Sequence, residues 1–231
     1  MNLLYAISLI FNLLIIAWLV YLAFNGRKLI GNFILNHVIA VRHEQKVSMF
    51  RATPVSKGAI VFVGNSITEG GNWSEMFPEK HILNRGIGGD VSEGVLKRLD
   101  EIIRHKPSKI FICIGTNDLA AGVNQGAIIQ NYRAILNEVK NQSPETKIYV
   151  QSVLPVGKNV IYRHKNEKIV PLNTEIEKLC TEMKITYIDL YSSFIDETGY
   201  LNPEYTNDKL HLMGKGYSVW KGLIEHYVNE N

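Results

Sequence analysis

The sequence predicts an α/β fold in which helices cover both faces of a five-stranded parallel sheet. Short apolar runs alternate with helical patterns over residues 58–231, which is typical of such sheets. Glycine and polar residues cluster where these runs end, as they do at the ligand-binding edge of open α/β sheets. A long uncharged run precedes this region and predicts a separate N-terminal helix.

Five apolar runs predict the strands, because strands buried on both faces read as nearly continuous apolar sequence. They lie at 59–64, 81–86, 109–115, 147–155 and 185–191. Helical patterns lie between or after them, at about 91–105, 125–142, 166–183 and 214–228. Asp90 and Asn124 precede the first two helices and are residue types that cap helix N-termini.

The N-terminal run predicts a transmembrane anchor. Leu3 to Phe24 is 22 residues long without a charge, and as a helix it would reach about 33 Å, enough to cross a bilayer core. A cleaved signal peptide is disfavoured because no Lys or Arg precedes the run and no small-residue cleavage site ends it. We therefore expect an anchor over 1–26, a partly helical connector over 27–57 and one domain over 58–231. Arg27 and Lys28 favour a cytoplasmic domain in a single-pass membrane protein.

Composition excludes several classes of function. The net charge is +3, and all of the excess lies in residues 1–46, so the domain has no net basic charge for binding nucleic acid. Cys113 and Cys180 are too few for a disulfide framework. The seven histidines are scattered without metal-ligand spacing. Nothing in the sequence indicates an oligomeric state.

Three polar clusters follow the first three strands, at 64–66, 86–90 and 115–118. In a flavodoxin-like strand order of 2-1-3-4-5 these strands are neighbours, so the clusters would meet at one edge of the sheet. A nucleotide site is disfavoured there. The first cluster lacks the P-loop lysine pattern, and the second has Val91 where a dinucleotide turn has its last glycine.

The residues at this edge could perform acyl transfer. Ser66 follows a buried strand, and a nucleophilic serine needs a base and a residue that orients the base. Asp208 and His211 are three residues apart in a loop before the last helix. Oxyanion donors could be the Ser66 N–H, an N–H of the Gly88-Gly89 turn and the Asn117 amide. The alternatives are a helix-capping role for Ser66 and a surface turn at 208–211.

The motifs resemble those of the SGNH/GDSL hydrolases. Four blocks occur in the family's order: GNSIT, NRGIGGD, GTND and DKLHL, at 64–68, 84–90, 115–118 and 208–212. The phrases NRGIGGDVSEGVLKRL and LHLMGKGY look most like the branch of the platelet-activating-factor acetylhydrolases. The resemblance implies a flavodoxin-like three-layer sandwich. It also implies that no cofactor or metal takes part.

Transferred to this chain, the resemblance makes Ser66 the nucleophile, His211 the general base and Asp208 its orienting residue. Gly89 and Asn117 complete an oxyanion hole with the Ser66 amide. Many members carry Asp where this chain has Asn65, a difference beside the triad and outside it.

We therefore expect a membrane-anchored serine esterase that forms an acyl-enzyme. Its expected substrates are small-molecule, glycan or lipid esters, as in an acetylesterase or a lysophospholipase. Two alternatives remain open: an acyltransferase that uses the same serine, and a non-catalytic module that binds carbohydrate or lipid on the same fold.

Overall fold

The computed structural model describes residues 3–160 and 166–230, without the side chains of 3, 4, 6, 19 and 22–36. The chain divides into two compact units, Met1–Glu44 and Gln45–Asn231. A single helix, α1, spans Leu3–Ala52 and so runs through the unit boundary. The boundaries expected at residues 26 and 57 stay predictions.

The transmembrane anchor predicted over 1–26 is not supported. Among the described residues, no helix is both long enough and apolar enough to span a membrane. The apolar run does not end as a separate helix. It continues into a helix that also contains Arg42 and Lys46, because no proline interrupts the backbone hydrogen bonding before Ala52. Residues 1 and 2 of the predicted anchor lie outside the described residues. A membrane partner is likewise not supported. The cytoplasmic placement stays a prediction.

The second unit contains a five-stranded parallel sheet of order β2-β1-β3-β4-β5, which confirms the predicted fold class and strand order. In chain order its elements are β1 Ile60–Gly64, α2 Ser66–Glu69, α3 Trp73–Met76, β2 Ile82–Gly86, α4 Ser92–Lys97, α5 Leu99–Ile103, β3 Lys109–Cys113, α6 Thr116–Ala121, α7 Gln125–Gln142, β4 Lys147–Gln151, α8 Asn166–Met183, β5 Thr186–Ile188, α9 Tyr191–Phe194, a 3₁₀ turn Pro203–Tyr205 and α10 Gly214–Asn229.

The strands expected at 109–115, 147–155 and 185–191 are shorter than predicted, and the region after β2 differs from the sequence expectations in two details. The helix predicted over 91–105 is split into α4 and α5 at Arg98, whose backbone is not helical (φ −114°, ψ 14°). Asp90 does not cap α4: the N-cap is Val91, without a side-chain bond, and the Ser92 N–H is instead accepted by Asp118. Asn124 caps α7 as predicted, because its side chain accepts the Gly126 N–H.

Each face of the sheet packs against its own hydrophobic cluster. Val61 and Val63 contribute to the cluster that contains buried residues of α4, α5, α7 and α8. Phe62 and Phe111 point to the opposite face, toward Trp73 and residues of α10. There Phe62 stacks on Trp73 and on Phe111, with ring centroids 4.4 and 4.9 Å apart. Such ring pairs contribute about 0.5–1.5 kcal/mol each beyond their burial. Burial on both faces explains why the strands are apolar throughout.

The pairing register aligns the ends of three adjacent strands, β2, β1 and β3. Gly64, the last residue of β1, pairs with Gly86 of β2 and Cys113 of β3. The three loops that follow therefore begin at the same height on the sheet. The convergence expected from the strand order is present, and it brings the three polar clusters to one edge.

Candidate active site

Ser66 is the first residue of α2, directly after the buried strand β1. It does not cap the helix. Asn65 is the N-cap, and its Oδ1 accepts the Ile67 N–H at 2.9 Å. Gly64 makes the close turn possible, because a Cβ there would lie 2.2 Å from Thr68 Oγ1 and 2.4 Å from the Cys113 carbonyl. The serine hydroxyl is thus held at the strand end on a turn that excludes other residues at position 64.

A continuous hydrogen-bonded chain joins Ser66, His211 and Asp208. Ser66 Oγ lies 2.9 Å from His211 Nε2, and His211 Nδ1 lies 2.6 Å from Asp208 Oδ2. When Nδ1 carries the proton and donates it to the carboxylate, Nε2 is free to accept the serine hydroxyl proton. The three residues are far apart in sequence, since Ser66 and His211 are separated by 145 positions.

The loop before α10 fixes the Asp208 carboxylate. Its Oδ1 accepts the N–H groups of Leu210 and His211 at 2.9 and 2.7 Å. Lys209, between Asp208 and Leu210, has a left-handed backbone (φ 72°). Desolvation acts to raise the pKa of Asp208. The hydrogen bonds from the His211 ring and from the two backbone amides outweigh it and lower that pKa to about 2. The carboxylate is therefore ionised at neutral pH and can stabilise a protonated imidazole.

The turn after β2 leaves one backbone N–H without a protein acceptor. Ile87 donates to the Gly64 carbonyl, Gly88 to Glu69 Oε2 at 2.8 Å, and Asp90 to the Ile87 carbonyl. Within the described residues, the Gly89 N–H has no such bond. Gly89 adopts φ 80°, a left-handed conformation that glycine tolerates without strain. Of the two glycines considered from the sequence, Gly89 is the one whose N–H is available.

Asn117 joins the turn after β3 to the turn after β2. It lies in the first turn of α6, and its Nδ2 donates to the Asp90 carbonyl at 2.8 Å. An amide nitrogen carries two hydrogens, so this bond fixes the side chain and leaves one hydrogen for a further acceptor. Asn117, Gly89 and Ser66 are all partly exposed, so a substrate oxygen can approach them from solvent.

Asp118, the residue after Asn117, connects two helices beside the site. Its buried carboxylate accepts the Ser92 N–H at 3.0–3.1 Å and the Ser92 hydroxyl at 2.5 Å. Burial raises the pKa of Asp118, and the hydrogen bonds from Ser92 oppose that rise. Asp118 therefore ties the start of α4 to α6.

Two supporting residues, Asn84 and Arg98, were not identified from the sequence. The Asn84 amide donates to the carbonyls of Thr68, Glu69 and Gly71 at 3.0–3.1 Å, which holds the segment after Ser66. Arg98 is buried against Asp90 at 2.9 Å and also donates to the carbonyl of residue 85. The signal for Asn84 was its place inside the NRGIGGD block. No local sequence pattern indicates that Arg98 is buried.

The comparison with known proteins decides the family. The family model described as GDSL-like Lipase/Acylhydrolase family matches residues 62–219, more than half of the chain. The chain belongs to the GDSL-like lipase/acylhydrolase family. The match begins inside β1 and ends inside α10, so it includes all the residues of the site described above.

One relative of this acylhydrolase is platelet-activating factor acetylhydrolase IB subunit alpha2 of Rattus norvegicus. The two are 32% identical over 175 residues, which cover 72% of this chain and 74% of the relative. The alpha1 subunit from Homo sapiens is 28% identical and covers 69% of this chain and 70% of its own. The acylhydrolase is thus an ester-hydrolysing enzyme of the branch that contains the platelet-activating-factor acetylhydrolases.

Solved structures agree with the fold of the acylhydrolase. One solved structure carries the name platelet activating factor and comes from Streptococcus pneumonia. It superposes with a TM-score of 0.80 at 30% identity, and the match covers 86% of this chain and 98% of the solved chain. A GDSL-like lipase from Bacteroides thetaiotaomicron has a TM-score of 0.71 at 28% identity and covers 80% and 96%. The likeness extends over nearly the whole of both solved chains.

Proposed function

We propose that this acylhydrolase is a serine esterase that acts through an acyl-enzyme, with Ser66 as nucleophile, His211 as general base and acid, and Asp208 as the residue that orients the imidazole. The observation that carries the proposal is the hydrogen-bonded chain from Ser66 Oγ to His211 Nε2, 2.9 Å, and from His211 Nδ1 to Asp208 Oδ2, 2.6 Å. This is the geometry that lets a serine lose its proton as it attacks a carbonyl.

In the first half of the reaction, His211 Nε2 takes the Ser66 proton and Oγ bonds to the ester carbonyl carbon. The carbonyl oxygen becomes an oxyanion, which the N–H groups of Ser66 and Gly89 and the free hydrogen of Asn117 stabilise. The ester C–O bond then breaks, and the imidazolium returns its proton to the departing alcohol.

In the second half, water attacks the acyl-serine while His211 accepts a proton from the water. The same donors stabilise the second oxyanion, and the carboxylic acid leaves as Ser66 regains its proton. Asp208 keeps its negative charge throughout and stabilises the imidazolium each time it forms.

The proposed substrates are esters of acetate or another short acyl group, carried by a sugar or by a lysophospholipid. The acetyl preference is supported by the acetylhydrolase relatives.

The test uses the full-length chain with p-nitrophenyl acetate and a panel of acetylated sugars and lysolipids. We expect p-nitrophenol release by the wild type, Ser66 labelling by a fluorophosphonate, and loss of both in Ser66→Ala. Ser192→Ala is a matched control, because Ser192 is an exposed serine bonded to Asp189 away from the triad. Wild-type activity in Ser66→Ala would refute the assignment of the nucleophile.

A further inference from the structure

An ion pair beside the turn after β2, which contains Gly88 and Gly89, has no part in the mechanism above. Glu69 Oε2 accepts the Gly88 N–H at 2.8 Å, and Glu69 Oε1 lies 2.8 Å from Lys46 Nζ. The side chains are 16% and 32% exposed, so Glu69 is largely shielded from water. The pair therefore connects the last turns of α1 to the residue that precedes Gly89.

We propose that Glu69 and Lys46 are positioning residues for the oxyanion hole. Glu69 holds the Gly88 N–H so that the next N–H, that of Gly89, is left for the substrate oxyanion, and Lys46 neutralises the carboxylate that does so. This proposal rests on the proposed function, because it concerns the oxyanion hole of the same serine esterase.

The hydrogen bonds of the turn support the first half of the proposal. Two of the other donors in the turn, Ile87 and Asp90, bond to backbone carbonyls of neighbouring residues. Gly88 instead bonds to the side chain of Glu69, at the end of the short helix that Ser66 begins. The Glu69 carboxylate thus links α2, the helix that begins at Ser66, to the turn after β2. The position of Gly89 relative to Ser66 depends on this link.

Electrostatics support the second half. A carboxylate close to an oxyanion donor opposes the negative charge that develops in the transition state. This electrostatic effect is large where water is excluded. Two carboxylates, Glu69 and Asp90, flank this turn. Each one pairs with a cation, Asp90 with buried Arg98 at 2.9 Å and Glu69 with Lys46.

The end of α1 is fixed well enough to present Lys46. Arg104 donates to the carbonyls of Phe50 and Thr53 at 2.7 and 2.8 Å. The Arg85 guanidinium also packs over the Phe50 ring, with Arg85 Cζ 4.4 Å from the ring centroid. These contacts lie within the unit that contains the sheet, so Lys46 is held by the same body as the site.

The decisive experiment compares kcat and KM for p-nitrophenyl acetate in full-length variants. For Lys46→Met we expect kcat to fall about tenfold with KM changed less than about twofold, because loss of the lysine charge beside the Glu69 carboxylate disfavours only the charged transition state. For Glu69→Gln we expect near wild-type kcat, since the amide oxygen still accepts the Gly88 N–H. The double variant should recover the kcat of Glu69→Gln, and Lys46→Arg should retain wild-type kcat.

A purely structural role for Lys46 predicts the opposite pattern, in which the double variant is as slow as Lys46→Met or slower. That result would overturn the proposal. Lys178→Met is the matched control, because Lys178 forms an exposed ion pair with Glu175 on α8. Its removal should leave kcat unchanged.

A readout without activity tests the hydrogen bond itself. We expect the Gly88 amide to exchange slowly with solvent in the wild type and in Glu69→Gln, and faster in Glu69→Ala. Equal exchange in all three would overturn the proposal even if the enzyme is active. If Ser66→Ala kept wild-type activity, the proposed function would fail, and the exchange at Gly88 would still decide whether Glu69 holds the turn.

Discussion

Replacing Asn117 with alanine tests the oxyanion hole most directly. Of the three proposed donors, Ser66 and Gly89 use backbone N–H groups that only a proline substitution would remove, whereas Asn117 uses its side chain. The change leaves the triad untouched, because neither the Ser66–His211 nor the His211–Asp208 bond involves Asn117.

The expected loss follows from the single donor removed. Deleting one oxyanion donor costs about 10²–10³ in kcat, which corresponds to about 3–4 kcal/mol of transition-state stabilisation. KM should change little, because the ester carbonyl bears no full charge in the ground state. Asn117→Ala also removes the 2.8 Å bond to the Asp90 carbonyl. The expected cost is about 1 kcal/mol of unfolding free energy and about 2–4 °C in Tm.

Steady-state kinetics with p-nitrophenyl acetate and thermal unfolding measure the two effects. Asn131→Ala is a matched control: its Nδ2 donates to Ser92 Oγ at 2.9 Å, so its loss removes a similar neutral bond nearby without removing a proposed donor. It should lower Tm by a similar amount and leave kcat within about threefold of the wild type. A folded Asn117→Ala enzyme with kcat within about fivefold of the wild type would refute the role of Asn117.

Three further predictions concern the triad, the turn after β2 and the stability of the domain. Asp208→Asn should lower kcat by on the order of 10⁴, because an amide opposite Nδ1 favours the wrong imidazole tautomer; near wild-type kcat would argue against the orienting role. Gly86→Ala should destabilise the fold by more than about 3 kcal/mol, since its Cβ would lie 2.2 Å from the backbone N of Glu69, and unchanged urea unfolding would contradict this. Burial, with the charge of Arg85, lowers the pKa of His105 below its ordinary 6.5 despite the opposing influence of Glu101. The unfolded chain therefore binds the proton more readily, and the stability that neutral His105 contributes should be complete above pH 6.5 and decline as pH falls toward the lower folded pKa. Urea unfolding as a function of pH should show this decline, and His105→Gln should reduce it.

The residues of the candidate site could be predicted because each one lies in a short motif, either at a strand end or in the loop before α10. Ser66, Gly89 and Asn117 follow three strands that the apolar pattern identifies, and the order of those strands determined that they meet. The helices over 125–142 and 166–183 were predicted with their observed bounds, since both are amphipathic and long. Their periodicity is therefore a strong signal.

The supporting contacts could not be predicted, because they depend on how side chains pair in the folded chain rather than on a local pattern. Arg98 looks like the exposed position of a continuous helix, yet its guanidinium is buried on Asp90 and the helix breaks there. Lys46 belongs to a segment whose sequence resembles a connector. Its link to Glu69 arises only from how the chain folds back, which no local pattern encodes.

Asn65 shows how the structure resolves a departure from the family pattern. Its Oδ1 accepts the Ile67 N–H and caps the short helix that carries Ser66, and this bond requires only an oxygen acceptor, which an aspartate also supplies. The buried side chain at position 65 therefore orients the nucleophile by capping, and a negative charge is not needed for that task. The neutral amide also avoids a third carboxylate beside the oxyanion hole, where Glu69 and Asp90 already each have a paired cation. The departure is thus compatible with the proposed role of Ser66 as the nucleophile.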